Sequence, residues 1–235
     1  MRKNVKKQLA LRVLSTAALV AMVSSIATAA FADTYDLNKG SVTVETKENG
    51  ITYVTQLDNT QKDGYARNDK DDILHDYQDK TGVTITSYGK QTENTITVDT
   101  AKDQTTDVTL KDVHIETEGS WNNTGSAPIE IKGDGDTNLE LNGDNTVLSG
   151  DRHHAAIEKA DKNGTGTLTI KDDKNDDGSD KDKDENGNAV DGDTGKLVAG
   201  GYYNGAGIGG GSYHYDEEKD YADTSNITIT GGDIT

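Results

Sequence analysis

Asp173, Asn175, Asp177, Gly178 and Asp184 stand at positions 1, 3, 5, 6 and 12 of a twelve-residue frame. That is the spacing at which oxygen ligands close around a calcium ion, with glycine making the sharp turn. A second, overlapping frame uses Asp182, Asp184, Asn186, Gly187 and Asp193. Position 12 is Asp where the longer Glu reaches in with both oxygens, and no amphipathic helix flanks either frame, so this is not an EF-hand pair. Two readings stay open: a calcium site with Asp173, Asn175, Asp177 and Asp184 as ligands, or a solvated acidic loop.

A second group is aromatic. Trp121 lies in the polar loop Gly119-Ser120-Trp121-Asn122-Asn123, Tyr202 and Tyr203 in one turn, and Tyr213 and Tyr215 in the next. Rings with an apolar face and a polar rim suit the apolar side of a pyranose, so all five are candidate carbohydrate contacts. The competing reading is that they cap an edge of the fold. The third group is Arg152-His153-His154, the only basic cluster in the second half of the chain. A polysaccharide lyase would need a base of this kind beside a cation-held uronate, but the triplet falls in a turn and no carboxylates can be assigned to it. There is no nucleophile–His–Asp arrangement and no HExxH pair, and nothing else points to catalysis. Gly205-Ala206-Gly207-Ile208-Gly209-Gly210-Gly211 matches GxGxxG in form, yet neither the strand before it nor the helix after it that a dinucleotide site requires is present. A tight corner with closely approaching backbones explains it.

These groups are set in a repeat. Ala127-Pro128-Ile129, then Thr137–Leu141, then Val147–Gly150 are followed by Ala155-Ala156-Ile157, then Thr167–Ile170, then Leu197–Gly201. A third pass begins at Ala206-Gly207-Ile208 and continues through Asn226–Gly232. Ile129 and Ile157 are 28 residues apart, Ile157 and Ile208 are 51 apart, and omitting the 23 low-complexity residues from Asp172 to Thr194 restores 28. A fixed period of this size marks units that bury their apolar faces by stacking on one another. The expected fold is all-β: a single-stranded parallel β-helix, with a β-sandwich as the alternative.

Upstream, short strands are expected over Ser41–Thr46, Ile51–Leu57, Gly82–Tyr88, Asn94–Thr100 and Val108–Glu116, with Gly, Asn and Asp turns between them. The clearest alternation is in Val83–Thr86 and Thr95–Val98. Asp69–Asp79 reads as a loop or a single helical turn. The organisation is a signal at 1–32, a less regular N-terminal β region and cap at 33–105, and repeats at 106–235 carrying the acidic insert 172–194.

Arg2, Lys3, Lys6, Lys7 and Arg12 precede an apolar stretch from Val13 to Ile26 and the small-x-small site Ala30-Phe31-Ala32. This is a secretory signal, with cleavage expected between Ala32 and Asp33. A retained membrane anchor is disfavoured, because a spanning helix needs roughly 20 apolar residues and Ser24, Ser25 and Thr28 interrupt this one. The expected location is extracellular or the cell surface of a bacterium. The whole chain has a net charge of −18. The signal holds five of the 24 Lys and Arg and none of the 42 Asp and Glu, which leaves −23 on the mature part. Such a charge argues against nucleic acid and against anionic lipid as partners. There is no cysteine, so stability must come from burial, backbone hydrogen bonds or metal. The strand pattern reaches Thr235 with no polar cap in sight, so further C-terminal repeats of a longer chain, or a partner, are expected to cover that end.

The phrases Asp107–Ile115, Leu139–Asn145, Gly166–Ile170 and Gly205–Gly211 resemble those of exported repeat proteins of clostridia and related gut Firmicutes, usually called carbohydrate-binding domain-containing proteins. The resemblance covers about residues 34–235 and is strongest from 106 onward. It implies a right-handed parallel β-helix, similar to polysaccharide lyases, that binds calcium and plant cell-wall polysaccharide. The acidic insert departs from the simpler repeat, so no calcium ligand carries over residue by residue. The expected function is a secreted or cell-surface, non-catalytic module that binds polysaccharide, a plant cell-wall or host glycan, with calcium ordering a loop on the first of the two readings of the insert. The alternatives are a stalk or adhesin with protein partners, and a lyase.

Overall fold

Strands such as Ile96–Thr100 and Val83–Thr86 alternate β-branched residues with polar ones, so one face is apolar and must be covered. A computed structural model shows how. It describes residues 33–57, 73–79, 82–119, 125–159, 165–172, 195–203, 205–211 and 225–235. All of them belong to the second of two units into which the chain divides, 1–31 and 32–235. The described residues contain no helix.

The strands are β1 (Asp33–Asp36), β2 (Val42–Thr46), β3 (Thr52–Leu57), β4 (Ile73–Asp79), β5 (Val83–Thr86), β6 (Gln91–Thr92), β7 (Ile96–Thr100), β8 (Thr105–Lys111) and β9 (His114–Glu116). They continue as β10 (Ile129–Lys132), β11 (Asp136–Asn142), β12 (Asp144–Leu148), β13 (Ile157–Lys159), β14 (Leu168–Asp172), β15 (Lys196–Gly200), β16 (Ile208–Gly209), β17 (Ile227–Ile229) and β18 (Asp233–Ile234). They form three sheets: A in the order β1-β5-β8-β11-β14-β17, B in the order β16-β13-β10-β7-β2-β3-β4, and C in the order β18-β15-β12-β9-β6. From β7 onward the chain visits B, A and C in strict rotation. Neighbours pair in parallel, as β10 does with β7 and β13; the antiparallel pairs are β2–β3 and β3–β4. Two antiparallel sheets, as a sandwich requires, are therefore not what forms.

Register follows the repeat. Ile129 is paired with Ile96 on one side and Ile157 on the other, and Ile157 with Ile208. In sheet A, Val83, Val108, Leu139, Ile170 and Ile229 form one row. Ile96, Ile129 and Ile157 of sheet B, Leu110, Leu139 and Ile170 of sheet A, and Ile115 and Val147 of sheet C share one buried cluster. Each such side chain contributes about 1.5–3 kcal/mol by burial. Where sheet B turns into sheet A the interior is polar but paired. Thr106 Oγ1 donates to Thr46 Oγ1 at 2.6 Å, and Thr100 shares its hydroxyl with Thr106 at 2.7 Å and Thr137 at 3.1 Å.

Two local expectations are corrected. Val108–Glu116 is not one strand: β8 ends at Lys111 and β9 starts at His114. Asp112, at φ 49°, turns the chain from sheet A to sheet C, and Asn145 Oδ1 accepts the Val113 N–H at 3.0 Å. The window at Asp69–Asp79 is not a helical turn over its described part, because Ile73–Asp79 is β4, laddered antiparallel onto β3. A sheet edge supplies hydrogen bonds that a sparsely apolar helix could not outweigh.

Candidate binding site

Besides the short link from Thr92 to Ile96, the connections from sheet C to sheet B run from Glu116 to Ile129, from Leu148 to Ile157 and from Gly200 to Ile208. The last two stack directly, since Ala156 N–H donates to Ala206 O at 3.1 Å and Ile157 N–H to Gly207 O at 3.0 Å. A Cβ on Gly205 would stand 2.4 Å from His154 O, so glycine is required for this approach. The stack brings Arg152-His153-His154 of one connection beside Tyr202-Tyr203 of the next.

Tyr202 and Tyr203 are 49% and 70% exposed. Their ring centres are 6.5 Å apart and the planes are tilted by 43°. The Arg152 guanidinium carbon lies 4.8 Å from the centre of the Tyr203 ring, within cation–π range. Behind this surface His154 Nδ1 meets Glu158 Oε2 at 2.9 Å, and the same oxygen accepts Ala155 N–H at 3.0 Å. The hydrogen bond to Glu158 raises the His154 pKa above its ordinary value; burial opposes this, and the charges of Glu158, Asp151 and Glu130 add to the rise. Asp151 is fully buried. Its Oδ1 accepts His153 N–H at 2.8 Å, and its Oδ2 has no hydrogen-bond partner among the described residues. A Cβ on Gly125 would press on this carboxylate at 2.3 Å.

Tyr202 and Tyr203 are thus brought together and exposed. Trp121, Tyr213, Tyr215 and the four calcium candidates Asp173, Asn175, Asp177 and Asp184 lie outside the described residues. Asp172 is the last residue of β14 rather than part of the insert, and its Oδ1 accepts Gly195 N–H at 3.0 Å across the base of that insert. Among the described residues no three His, Asp or Glu side chains are grouped to hold a metal ion. Glu158 and Asp151 were not singled out in the sequence. The repeat held the signal for Glu158, which follows Ile157 as Glu130 follows Ile129 and is paired with it. Asp151 had no signal to separate it from the other acidic residues.

The chain matches no family model, no curated protein and no solved structure.

Proposed function

We propose that the chain is an exported, non-catalytic module that binds polysaccharide, and that the surface formed by Tyr202, Tyr203 and Arg152 is where it does so. The observation that carries this is the tilted, exposed tyrosine pair with a guanidinium stacked on one ring. Tyrosines are amphipathic and rigid, with two side-chain torsions to immobilise, so they give contact area at low entropic cost. Arg152 lies over the Tyr203 ring and fixes it. His154 and Glu158, one step behind, hold the connection that carries Arg152.

We read the three sheets as the walls of a parallel β-helix. The strict B–A–C rotation and parallel register from β7 onward, with the shared core, support this. Such a scaffold offers rigid, stacked connections on which successive sugar rings can be met. The signal-like N-terminus and the absence of cysteine suit a bacterial exterior. The reading also carries the calcium expectation as a proposal for the acidic insert, separate from the tyrosine surface.

The test is retention on a polysaccharide panel, neutral and acidic, with calcium and with chelator. Retention that Tyr203→Ala weakens about tenfold, the equivalent of ~1.4 kcal/mol, supports the reading. Failure of the wild type to bind any member overturns it and leaves the stalk or adhesin reading.

A further inference from the structure

We infer that Tyr88 is a second contact for the same ligand, and that this ligand is an extended, uncharged glycan chain lying across the outer face of sheet C. The inference rests on the polysaccharide reading above.

Tyr88 and Tyr203 occupy the same unusual position. Ser87–Lys90 is a four-residue turn closed by Lys90 N–H donating to Ser87 O at 3.0 Å. Gly205 N–H likewise donates to Tyr202 O at 2.9 Å. The residue after each acceptor is a tyrosine with positive φ, 54° for Tyr88 and 55° for Tyr203. Gly89 continues the left-handed backbone at φ 68°. Turns of this kind favour Asn, Asp or Gly at that place, and another residue there costs about 1–2 kcal/mol. Burial does not offset that cost, because Tyr88 is 64% exposed and Tyr203 70%. A large ring held at a strained turn tip and given to solvent, twice in one chain, is accounted for by something that the rings touch.

Both turns border sheet C. The Tyr88 turn leads into β6, the first strand of that sheet, and the Tyr203 turn follows β15. Between them one row of the sheet runs Gln91, His114, Thr146, Val198, each paired with the next. These side chains are solvent-accessible, whereas Ile115 and Val147, one residue further on, are buried. The row therefore faces outward and offers hydrogen-bonding groups ending in an exposed valine. From β6 to β15 is three strand spacings, about 14 Å, and the two turns lie at opposite ends of the strands. One or two sugar rings cannot reach both tyrosines; a longer chain can. The chain as a whole carries a net charge of −18, and −23 without residues 1–32; an overall charge of this sign disfavours approach of a polyanion, which favours a neutral glycan over a uronate or sulfated one.

The experiment uses the intact chain and the variants Tyr88→Gly and Tyr203→Gly. The probes are β-glucan, xylan, mannan and polygalacturonate, then di- and hexasaccharides of whichever polymer is retained. Glycine suits a positive φ, so Tyr88→Gly is expected to keep or raise the melting temperature. It should weaken binding of the hexasaccharide about tenfold and leave the disaccharide unchanged, while Tyr203→Gly weakens both. Equal hexasaccharide affinity in Tyr88→Gly and wild type overturns the second contact while the Tyr203 site stands. A fall in melting temperature with equal losses at every ligand length overturns it too, by making Tyr88 structural. Tighter binding of polygalacturonate than of the neutral polymers overturns the choice of ligand. No retention of the wild type on any probe removes the reading beneath and the inference with it.

Discussion

Arg152 and Tyr203 come from successive connections between sheets C and B, and the guanidinium carbon of the first rests 4.8 Å from the ring centre of the second. The pair exists only because two passes of the chain stack in register, as the bonds from Ala156 to Ala206 and from Ile157 to Gly207 require. Repeat geometry, not local sequence, thus builds the proposed contact surface.

Arg152→Ala removes that support from an exposed ring. An exposed cation–π contact is worth about 0.5–1 kcal/mol, so we predict a two- to fivefold loss of glycan affinity. Arg152→Lys should recover part of it, because the ammonium keeps the charge but loses the planar stack. Equilibrium binding of the three proteins side by side checks this.

His154 and Glu158 predict a dependence on pH. The folded-state pKa of His154 is raised, chiefly by its hydrogen bond to Glu158. Its contribution to stability is therefore fully present below the unfolded value, near 6.5, and is lost as pH rises through the folded value. Glu158, Asp151 and Glu130 are the carboxylates that act on it. Melting temperatures between pH 5 and 8 should fall across that window in the wild type. The slope should be shallower in Glu158→Gln, which keeps the shape and removes the charge.

Gly166 marks how tightly the passes stack. A Cβ there would lie 2.0 Å from Gly135 O, which is backbone and cannot swing aside. Gly166→Ala should destabilise the fold by about 1–3 kcal/mol, as overpacking does, measured by urea denaturation. The same change at Gly82, where a Cβ meets nothing within 4 Å but φ is 101°, should cost only the backbone strain.

Excision of residues 174–194 should leave the fold intact. Asp172 and Gly195 already meet at the base of the insert. The residues left between Leu168–Asp172 and Lys196–Gly200 would be Asp173 and Gly195, as short a link as Asn142-Gly143 in the preceding pass. Far-ultraviolet circular dichroism and a melting temperature within a few degrees of the wild type are expected. Any stabilisation by calcium present in the wild type should vanish, since the proposed ligands are removed or lose their companions.

Much of the architecture was legible because isoleucine and glycine repeat. The spacing from Ile129 to Ile157 and on to Ile208 gave the pairing that the strands adopt, and alternation located β2, β3, β5 and β7 to within a residue or two. Corners were harder. Val108–Glu116 is apolar at 108, 110, 113 and 115, so its alternation slips by one at Asp112, but that slip alone does not distinguish a bulge from a corner, and the turn depends on Asn145, which is 32 residues from the Val113 whose N–H it binds. β4 was missed because its order comes from the β3 edge and not from its own composition. Tyr202 and Tyr203 could be picked out as aromatics in a polar turn, but their partner could not. Arg152 is 51 residues from Tyr203, and only the stacked register puts the two together. Tyr88 carried no signal at all until its backbone conformation was known.

The most direct measurement is quantitative binding of the intact chain and of the Tyr202→Ala and Tyr203→Ala variants to soluble neutral polysaccharides, with and without calcium. The account predicts retention of the wild type on a neutral polymer and a loss of about tenfold in each variant at unchanged melting temperature. Retention that survives both substitutions, or no retention on any polymer, would contradict it.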